Sequence, residues 1–321
     1  MDYINDLMKV PSLDDILDAH SRIRTYIHRT PVLTSSQLNG MFGCELYFKC
    51  ENFQKVGAFK FRGATNSILS LSADEKRRGV VTHSSGNHAA ALALAASMNG
   101  VKAYIVMPET APVVKKNAVA GYGAEITFCK PTLQAREENA RKIISEKGAT
   151  LIHPYDNFNV ICGQGTAAVE LLDEVPGLDI IVAPIGGGGL MSGTSTSAKS
   201  LKPSVKVIGA EPLNASDARE SFRTGKIVPS VNPQTVADGL LTSLSDLTFE
   251  IIRNNVDDIL TATEESIIEC MLLVWERMKI VIEPSSATVL AIIKENRELF
   301  RGKKAGLIIS GGNVDFRKLP F

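Results

Sequence analysis

The chain has 321 residues, with 35 Lys+Arg against 35 Asp+Glu, a formal net charge of zero and 44% apolar residues. That balance excludes a dedicated polyanion binder, which needs a basic excess to neutralise phosphates, and a charge-driven membrane-surface protein. It also excludes disorder, which goes with low hydrophobicity and high net charge. What remains is a globular protein acting on a small molecule or another protein, with neither nucleic acid nor membrane among its expected partners. Its length suits one large domain or two modest ones.

The leading MDYINDLMKVPSLDD shows no basic stretch followed by an apolar one, so no secretory leader is read there. The longest apolar run, about 89–98, is too short to span a bilayer. The five cysteines are Cys44, Cys50, Cys129, Cys162 and Cys270. Their number is odd and none forms a CxxC pair. This argues against a disulfide framework or structural zinc and for a reducing compartment, so the expected location is cytoplasmic.

Along the chain, Ser12 opens a helical pattern with Ile16, Ala19, Ile23 and Ile27 on one face. β-branched runs predict strands at 45–50, 80–83, 101–107, 125–129, 151–153, 180–184, 205–210, 258–261 and 306–310. Helical spacing fills most gaps between them. The clearest helix covers 263–278, where Ile267, Ile268, Met271, Val274, Trp275 and Met278 recur at three and four. Thr261 with Glu264 has the form of its capping box. Alternating strands and helices predict an α/β fold with mostly parallel sheets. Ligands in such sheets bind beyond the carboxyl ends of strands, so the residues just after strands are where chemistry is expected.

Two strand–turn–helix units stand out. The first is Gly186-Gly187-Gly188-Gly189 between the 180–184 strand and a helix over 190–201. Four glycines leave backbone N–H groups free to face an anion, and the helix start adds partial positive charge. The alternative is a tight turn, although four glycines cost considerable chain entropy. Met191 breaks the GxGxxG pattern, and no GxxxxGK[ST] exists. The second unit is His83-Ser84-Ser85-Gly86-Asn87-His88, leading into an alanine-rich helix over 89–99.

Lys60 lies between Phe59 and Phe61 in KVGAFKFRGA. Most lysines are solvated charges. An apolar setting instead disfavours the ammonium, which makes the amine nucleophilic toward carbonyls. Such a lysine plus a separate phosphate cradle is the combination that pyridoxal phosphate requires.

KVGAFKFRGA, HSSGNHAAALA, GGGGLMSG, AEPLNASDA, VWERMKIVIEP and SGGNVD together resemble the fold-type II pyridoxal-phosphate family, within it the serine racemases, with serine and threonine dehydratases close behind. The similarity runs end to end, with the motifs in the family's order. It implies a tryptophan-synthase-β-like α/β fold with two open twisted sheets flanked by helices. Residues 1–70 and 151–321 would form a large cofactor domain, and 80–150 a small mobile one.

The resemblance also implies roles. Lys60 carries the cofactor covalently and Phe59 flanks it. Asn87 bonds the cofactor's phenolic oxygen, Gly186 to Gly189 hold the phosphate, and Ser310 faces the pyridine nitrogen. A hydroxyl, unlike a carboxylate, does not stabilise a protonated ring, so the electron sink is weak. Lys60 and Ser85 serve as acid/base groups on opposite faces of the substrate, for racemisation of serine with accompanying elimination to pyruvate and ammonia. Threonine or serine dehydration, or ammonia loss from threo-3-hydroxyaspartate, is the alternative. Ser84, Ser85, Asn87 and His88 are expected around the substrate carboxylate, and Arg136 either closes over it or is a solvated helix charge. Thr242 stands where the racemases have serine, which leaves pocket size open.

Glu211, the carbonyl of Ala215 and Asp217 are the implied ligands of a structural Mg²⁺ or Ca²⁺; two acids in a loop are otherwise common. ATP is implied as an effector at the subunit interface, near Ser35, Ser36, Lys55 and Lys115, and a homodimer as the assembly. His20 and His28 read as structural. A non-catalytic binding protein is the competing class, against which intact Lys60 and Ser85 argue.

Overall fold

A computed structural model describes residues 9–84, 86–111 and 113–319. Its strands are β1 (Val32–Leu33), β2 (Glu45–Cys50), β3 (Val80–His83), β4 (Ala103–Pro108), β5 (Glu125–Cys129), β6 (Thr150–Leu151), β7 (Ile180–Pro184), β8 (Lys206–Pro212), β9 (Asp258–Ala262) and β10 (Lys304–Ile309). They form a six-stranded sheet in the order β1-β2-β10-β7-β8-β9 and a four-stranded sheet in the order β5-β4-β3-β6. Every pairing is parallel except β1 with β2. β7, β8 and β10 are almost wholly apolar and buried, as parallel strands covered on both faces must be. This is the predicted α/β class.

The helix Leu13–Ile23 starts at Ser12, whose side chain and that of Asp15 form a reciprocal capping box. Ile16, Ala19 and Ile23 are buried as the spacing predicts; Ile27 is buried beyond the helix end. The expected cap at Thr261 is corrected. Thr261 belongs to β9, and the helix Glu264–Met278 is capped by Thr263, whose side chain accepts from the Ser266 amide. The β-strand runs on to Ala262, so the first hydroxyl free to turn back is Thr263.

A buried charge network fastens the segment that carries Lys60. Helix Lys60–Leu69 packs on helix Phe158–Glu174 so closely that a Cβ on Gly163 would lie 2.5 Å from the Gly63 Cα. Two residues after Lys60, Arg62 bonds Glu51 through Nε and Nη2 (2.7 and 2.8 Å) and Glu170 through Nη1 and Nη2 (2.8 and 2.7 Å). Lys49 completes the network at 2.7 Å from Glu170 and 2.6 Å from the Thr30 carbonyl. Two cations and two carboxylates, all buried, leave no net charge and few empty lone pairs, which is the condition under which buried ions are tolerated.

Candidate active site

Lys60 begins its helix beside the carboxyl end of β10. The Phe59 amide donates to the Ser310 carbonyl (2.9 Å), and Ala58 bridges to Gly311. The Lys60 amine donates to the Pro154 carbonyl at 2.8 Å and lies 5.0 Å from the Phe59 ring centroid. Desolvation lowers its pKa to about 8, opposed by the Glu283 carboxylate. The apolar setting inferred for this lysine is therefore present, and the amine is held by an acceptor that carries no charge.

The glycine loop follows β7. Gly188 has φ +86°, and the helix Gly189–Leu201 that follows has no side-chain cap, so its first amides keep no side-chain partner. A Cβ on Gly187 would lie 2.3 Å from the Tyr155 ring. Gly186 packs on Leu240, and Gly189 on the Tyr155 backbone. Tyr155 thus forms one wall of the loop, a contact the sequence did not reveal because tyrosine after His-Pro carries no local signal. A desolvated amine and an uncapped glycine cradle at the carboxyl ends of neighbouring strands fit an aldehyde cofactor bearing a phosphate.

Asn87 opens the helix Asn87–Met98. Its Nδ2 donates to both Glu283 oxygens (3.0 and 3.1 Å), and its Oδ1 accepts from Asn313 Nδ2 (2.9 Å). Glu283 is 4% exposed and burial pushes its pKa up to about 7. The Asn313 amide donates to it as well, at 3.2 Å. Glu283 lies within VWERMKIVIEP, but nothing in its sequence surroundings points to this contact. Its only local signal was the acidic position before Pro284, where a helix begins.

Ser84 is half-buried and the Gly86 amide donates to its hydroxyl at 3.4 Å. Ser85 lies outside the described residues. His88 is buried with Nε2 3.1 Å from the Ile152 carbonyl, and its Nδ1 has no partner. Burial lowers its pKa to about 3. A carbonyl only accepts, so the single proton sits on Nε2 and is committed. The ring then has no proton for a substrate carboxylate; what His88 offers is its backbone amide in the first helical turn.

His83, His153 and Tyr155 stack edge to face, with centroids 5.4 and 4.5 Å apart. The charge of Arg136 acts on both His83 and Tyr155, and its buried Nε has no partner. Arg136 therefore sits beside this aromatic row with donor capacity to spare. Thr242 is exposed and within hydrogen-bonding reach of Tyr155.

Glu211 ends near the start of the helix Asp217–Thr224, where its oxygens accept from the Ala218 and Arg219 amides at 3.0 and 2.7 Å. Asp217 Oδ2 is buried without a partner. Ala215 lies between them in the turn Leu213–Ala215. Burial raises Glu211 to about 8 and Asp217 to about 6. Among the described residues no cluster of three or more His, Cys, Asp or Glu forms a cage. Two under-compensated carboxylates fit a hard cation that takes its other ligands from carbonyl and water.

Within one chain, the residues expected around a nucleotide do not line one cavity together. Lys115 pairs with Asp238 at 2.7 Å and lines a cavity of about 670 Å³ with Asn87, Tyr122 and Asn313. Ser35, Ser36 and Lys55 are not among its lining residues. Ser35 instead caps the helix Ser36–Phe42, and Lys55 lies 5.6 Å from the Phe61 ring centroid.

Residues 23–311 match the family described as pyridoxal-phosphate dependent enzyme. The chain is 54% identical to a serine racemase of Dictyostelium discoideum, over 97% of this chain and 98% of that protein. It is 50% identical to a β-hydroxyaspartate dehydratase of Paracoccus denitrificans, over 98% of this chain and all of that one. The crystal structure of the Dictyostelium serine racemase superposes with a TM-score of 0.92, covering 95% of this chain and 99% of that one at 55% identity. The chain belongs to the pyridoxal-phosphate dependent enzymes of fold type II.

Proposed function

We propose that this enzyme interconverts L- and D-serine and also eliminates water from serine, giving pyruvate and ammonia. The observation that carries the reading is the Lys60 amine, its pKa lowered by desolvation to about 8, bonded to the carbonyl of Pro154, the residue before the Tyr155 that walls the glycine cradle. The full-length similarity to serine racemases supports the choice of substrate. Bound pyridoxal phosphate supplies an electron sink that acidifies the substrate Cα–H.

Gly186 to Gly189 and the first amides of the following helix hold the phosphate. Phe59 and Ser310 would border the ring, and Asn87, fixed by Glu283, would bond its phenolic oxygen. Lys60 would carry the cofactor, and its amine would take or return the Cα proton on one face. Ser85 does so on the other face, activated by its surroundings. The amides following Ser84, with Asn87 and His88, receive the substrate carboxylate, and Arg136 closes over it. Tyr155 and Thr242 bound the side-chain space.

The two sheets support a division into a large part, 1–70 and 151–321, and a smaller mobile part, 80–150. Closure of the smaller part brings Ser84, Ser85 and Asn87 onto the substrate. Glu211, Ala215 and Asp217 hold Mg²⁺ or Ca²⁺. ATP acts as an effector through the cavity at Lys115, where Lys115 trades Asp238 for a phosphate. The protein is a cytoplasmic homodimer; five buried, unpaired cysteines and exposed Phe53, Val281 and Phe316 are in keeping with this.

Chiral product analysis tests the function. Purified enzyme with L-serine yields D-serine and pyruvate. Ser85→Ala loses D-serine formation while keeping part of the pyruvate. Unchanged D-serine formation in that variant removes Ser85 from the reaction. Ammonia release from threo-3-hydroxyaspartate without any D-serine from L-serine moves the enzyme to the dehydratase class, which the Paracoccus relative also represents.

A further inference from the structure

The helix Lys60–Leu69 opens on a tight turn. Its N-cap, Phe59, makes no side-chain cap bond and already has helical angles, φ −51° and ψ −25°. The Phe61 amide donates to the Ala58 carbonyl at 3.3 Å, and the Arg62 amide to the Phe59 carbonyl at 3.0 Å. Both bonds follow the 3₁₀ pattern, whereas a regular α-turn would give the Phe59 carbonyl to the Gly63 amide. The Gly63 amide instead donates to Gln164 Oε1 at 3.2 Å, on the neighbouring helix Phe158–Glu174. An amide N–H only donates, so the oxygen of the Gln164 side chain is what faces it. Gln164 is fully buried, and its Nε2 has no partner among the described residues. An orphaned buried donor lowers stability, so packing alone would favour an apolar side chain here. Glycine is what lets the amide group in: a Cβ on Gly63 would lie 2.5 Å from Gln164 Nε2.

We infer that Gln164 is a positioning residue for Lys60: by holding the Gly63 amide it keeps the helix start in its tight turn and the amine on the Pro154 carbonyl. The inference rests on the reading above that Lys60 carries the cofactor. Released from Gln164, the Gly63 amide would turn back to the Phe59 carbonyl, and the first turn would relax to a regular α-helix. Each residue of that turn would then rotate about 20° less and rise about 0.5 Å less, the difference between the two helix types. Lys60 is the first residue of the turn, and its amine reaches the Pro154 carbonyl at 2.8 Å. Pro154 lies just before Asn157, whose side chain caps the helix carrying Gln164 by accepting from the Val160 amide. The segment 154–164 therefore supplies one acceptor to the amine and another to the backbone that bears it. A reacting group misplaced by about 1 Å loses up to about 100-fold in rate.

The test compares holoenzyme variants by melting temperature and by kcat and KM for pyruvate release from L-serine, or for ammonia release from threo-3-hydroxyaspartate should serine not react. Gln164→Met keeps the volume and removes both the acceptor and the orphaned donor. It is expected to lose about 10- to 100-fold in kcat, with KM little changed and the chain folded. Gln164→Ala gives the same loss and serves if methionine does not fit. Gln164→Glu restores the acceptor, since burial holds a carboxyl in its protonated form and its carbonyl oxygen accepts; it keeps most of the kcat. Asn66→Ala, three residues beyond Gly63, loses the 2.8 Å bond to the Asn159 carbonyl and the 2.6 Å bond from Arg22. It lowers the melting temperature and leaves kcat as in the parent. If Gln164→Met keeps its kcat, or if Gln164→Glu or Asn66→Ala loses as much as Gln164→Met, the side chain only packs and the inference is overturned. If Lys60→Ala still shows the absorbance of lysine-bound cofactor, Lys60 is not the carrier, and the inference falls with that reading.

Discussion

Arg62 and Glu170 meet through two parallel hydrogen bonds of 2.8 and 2.7 Å, with both side chains buried, two residues beyond Lys60 in the chain. The same guanidinium grips Glu51 from the other side. The helix bearing Lys60 is thereby pinned to the helix Phe158–Glu174 and to the residue that follows β2. Arg62→Ala leaves two buried carboxylates with Lys49 as their nearest remaining cation. The expected loss is about 3–5 kcal/mol of folding stability, read from denaturant midpoints. An unchanged midpoint would show that the network is dispensable.

Lys60 sets a pH dependence. Its folded pKa is about 8, below the unfolded lysine value, so the folded apoenzyme holds this proton less tightly than the unfolded chain. This contribution to stability is fully present above the unfolded value near 10.4 and is lost as pH falls through about 8. The rate at which apoenzyme captures pyridoxal phosphate, followed by the absorbance of the lysine-bound cofactor, rises with pH and levels off above about 8. Glu283→Gln removes the carboxylate that favours the ammonium and moves that midpoint lower. A flat profile from pH 7 to 9 counts against a desolvated amine. Lys60→Ala shows no lysine-bound absorbance at any pH, and its activity falls by at least about 10³-fold.

Gly187 tests the cradle. A methyl at this position enters the Tyr155 ring, so Gly187→Ala must displace either the tyrosine or the loop. The dissociation constant for pyridoxal phosphate, measured by fluorescence titration, is expected to rise roughly 10- to 100-fold, as for the loss of one hydrogen bond to a charged group. Pairing it with Tyr155→Ala, which opens the space, restores part of the affinity. Equal affinity in Gly187→Ala and the parent means the phosphate lies elsewhere.

The paired carboxylates Glu211 and Asp217 predict a metal response. Saturating Mg²⁺ raises the melting temperature by about 5 °C, the shift expected when a ligand at some hundredfold excess over its dissociation constant binds only the folded state. Asp217→Asn abolishes most of that rise while leaving the chain folded. A parent protein whose melting point is the same in Mg²⁺ and in chelator has no cation at this place.

Much of the site was legible because it obeys local rules. The glycine run, the lysine between phenylalanines and the polar turn after β3 all lie just beyond strands whose apolar patterns are readable in isolation. Four strands, 45–50, 80–83, 125–129 and 180–184, fall where the β-branched runs place them. Others shift by one or two residues at an end, since pairing partners decide where a ladder stops. The two-residue β1 was missed; only its antiparallel contact with β2 makes it a strand. Thr261 has the right residue type for a cap but lies two positions too early, inside β9.

What the residues by themselves determined is the chemistry available: an amine in an apolar stretch and a side-chain-free anion cradle. These follow from residue type and from neighbours within a few positions. What only the tertiary structure decided is how those groups are held. Glu283 reaches Asn87 across 196 residues, Arg62 reaches Glu170 across 108, and Gln164 meets the Gly63 amide only because two helices pack closely at glycines. Hydrogen bonding, desolvation and charge pairing depend on atoms within a few ångströms of one another, and chain order does not encode those distances until the sheets bring the segments together.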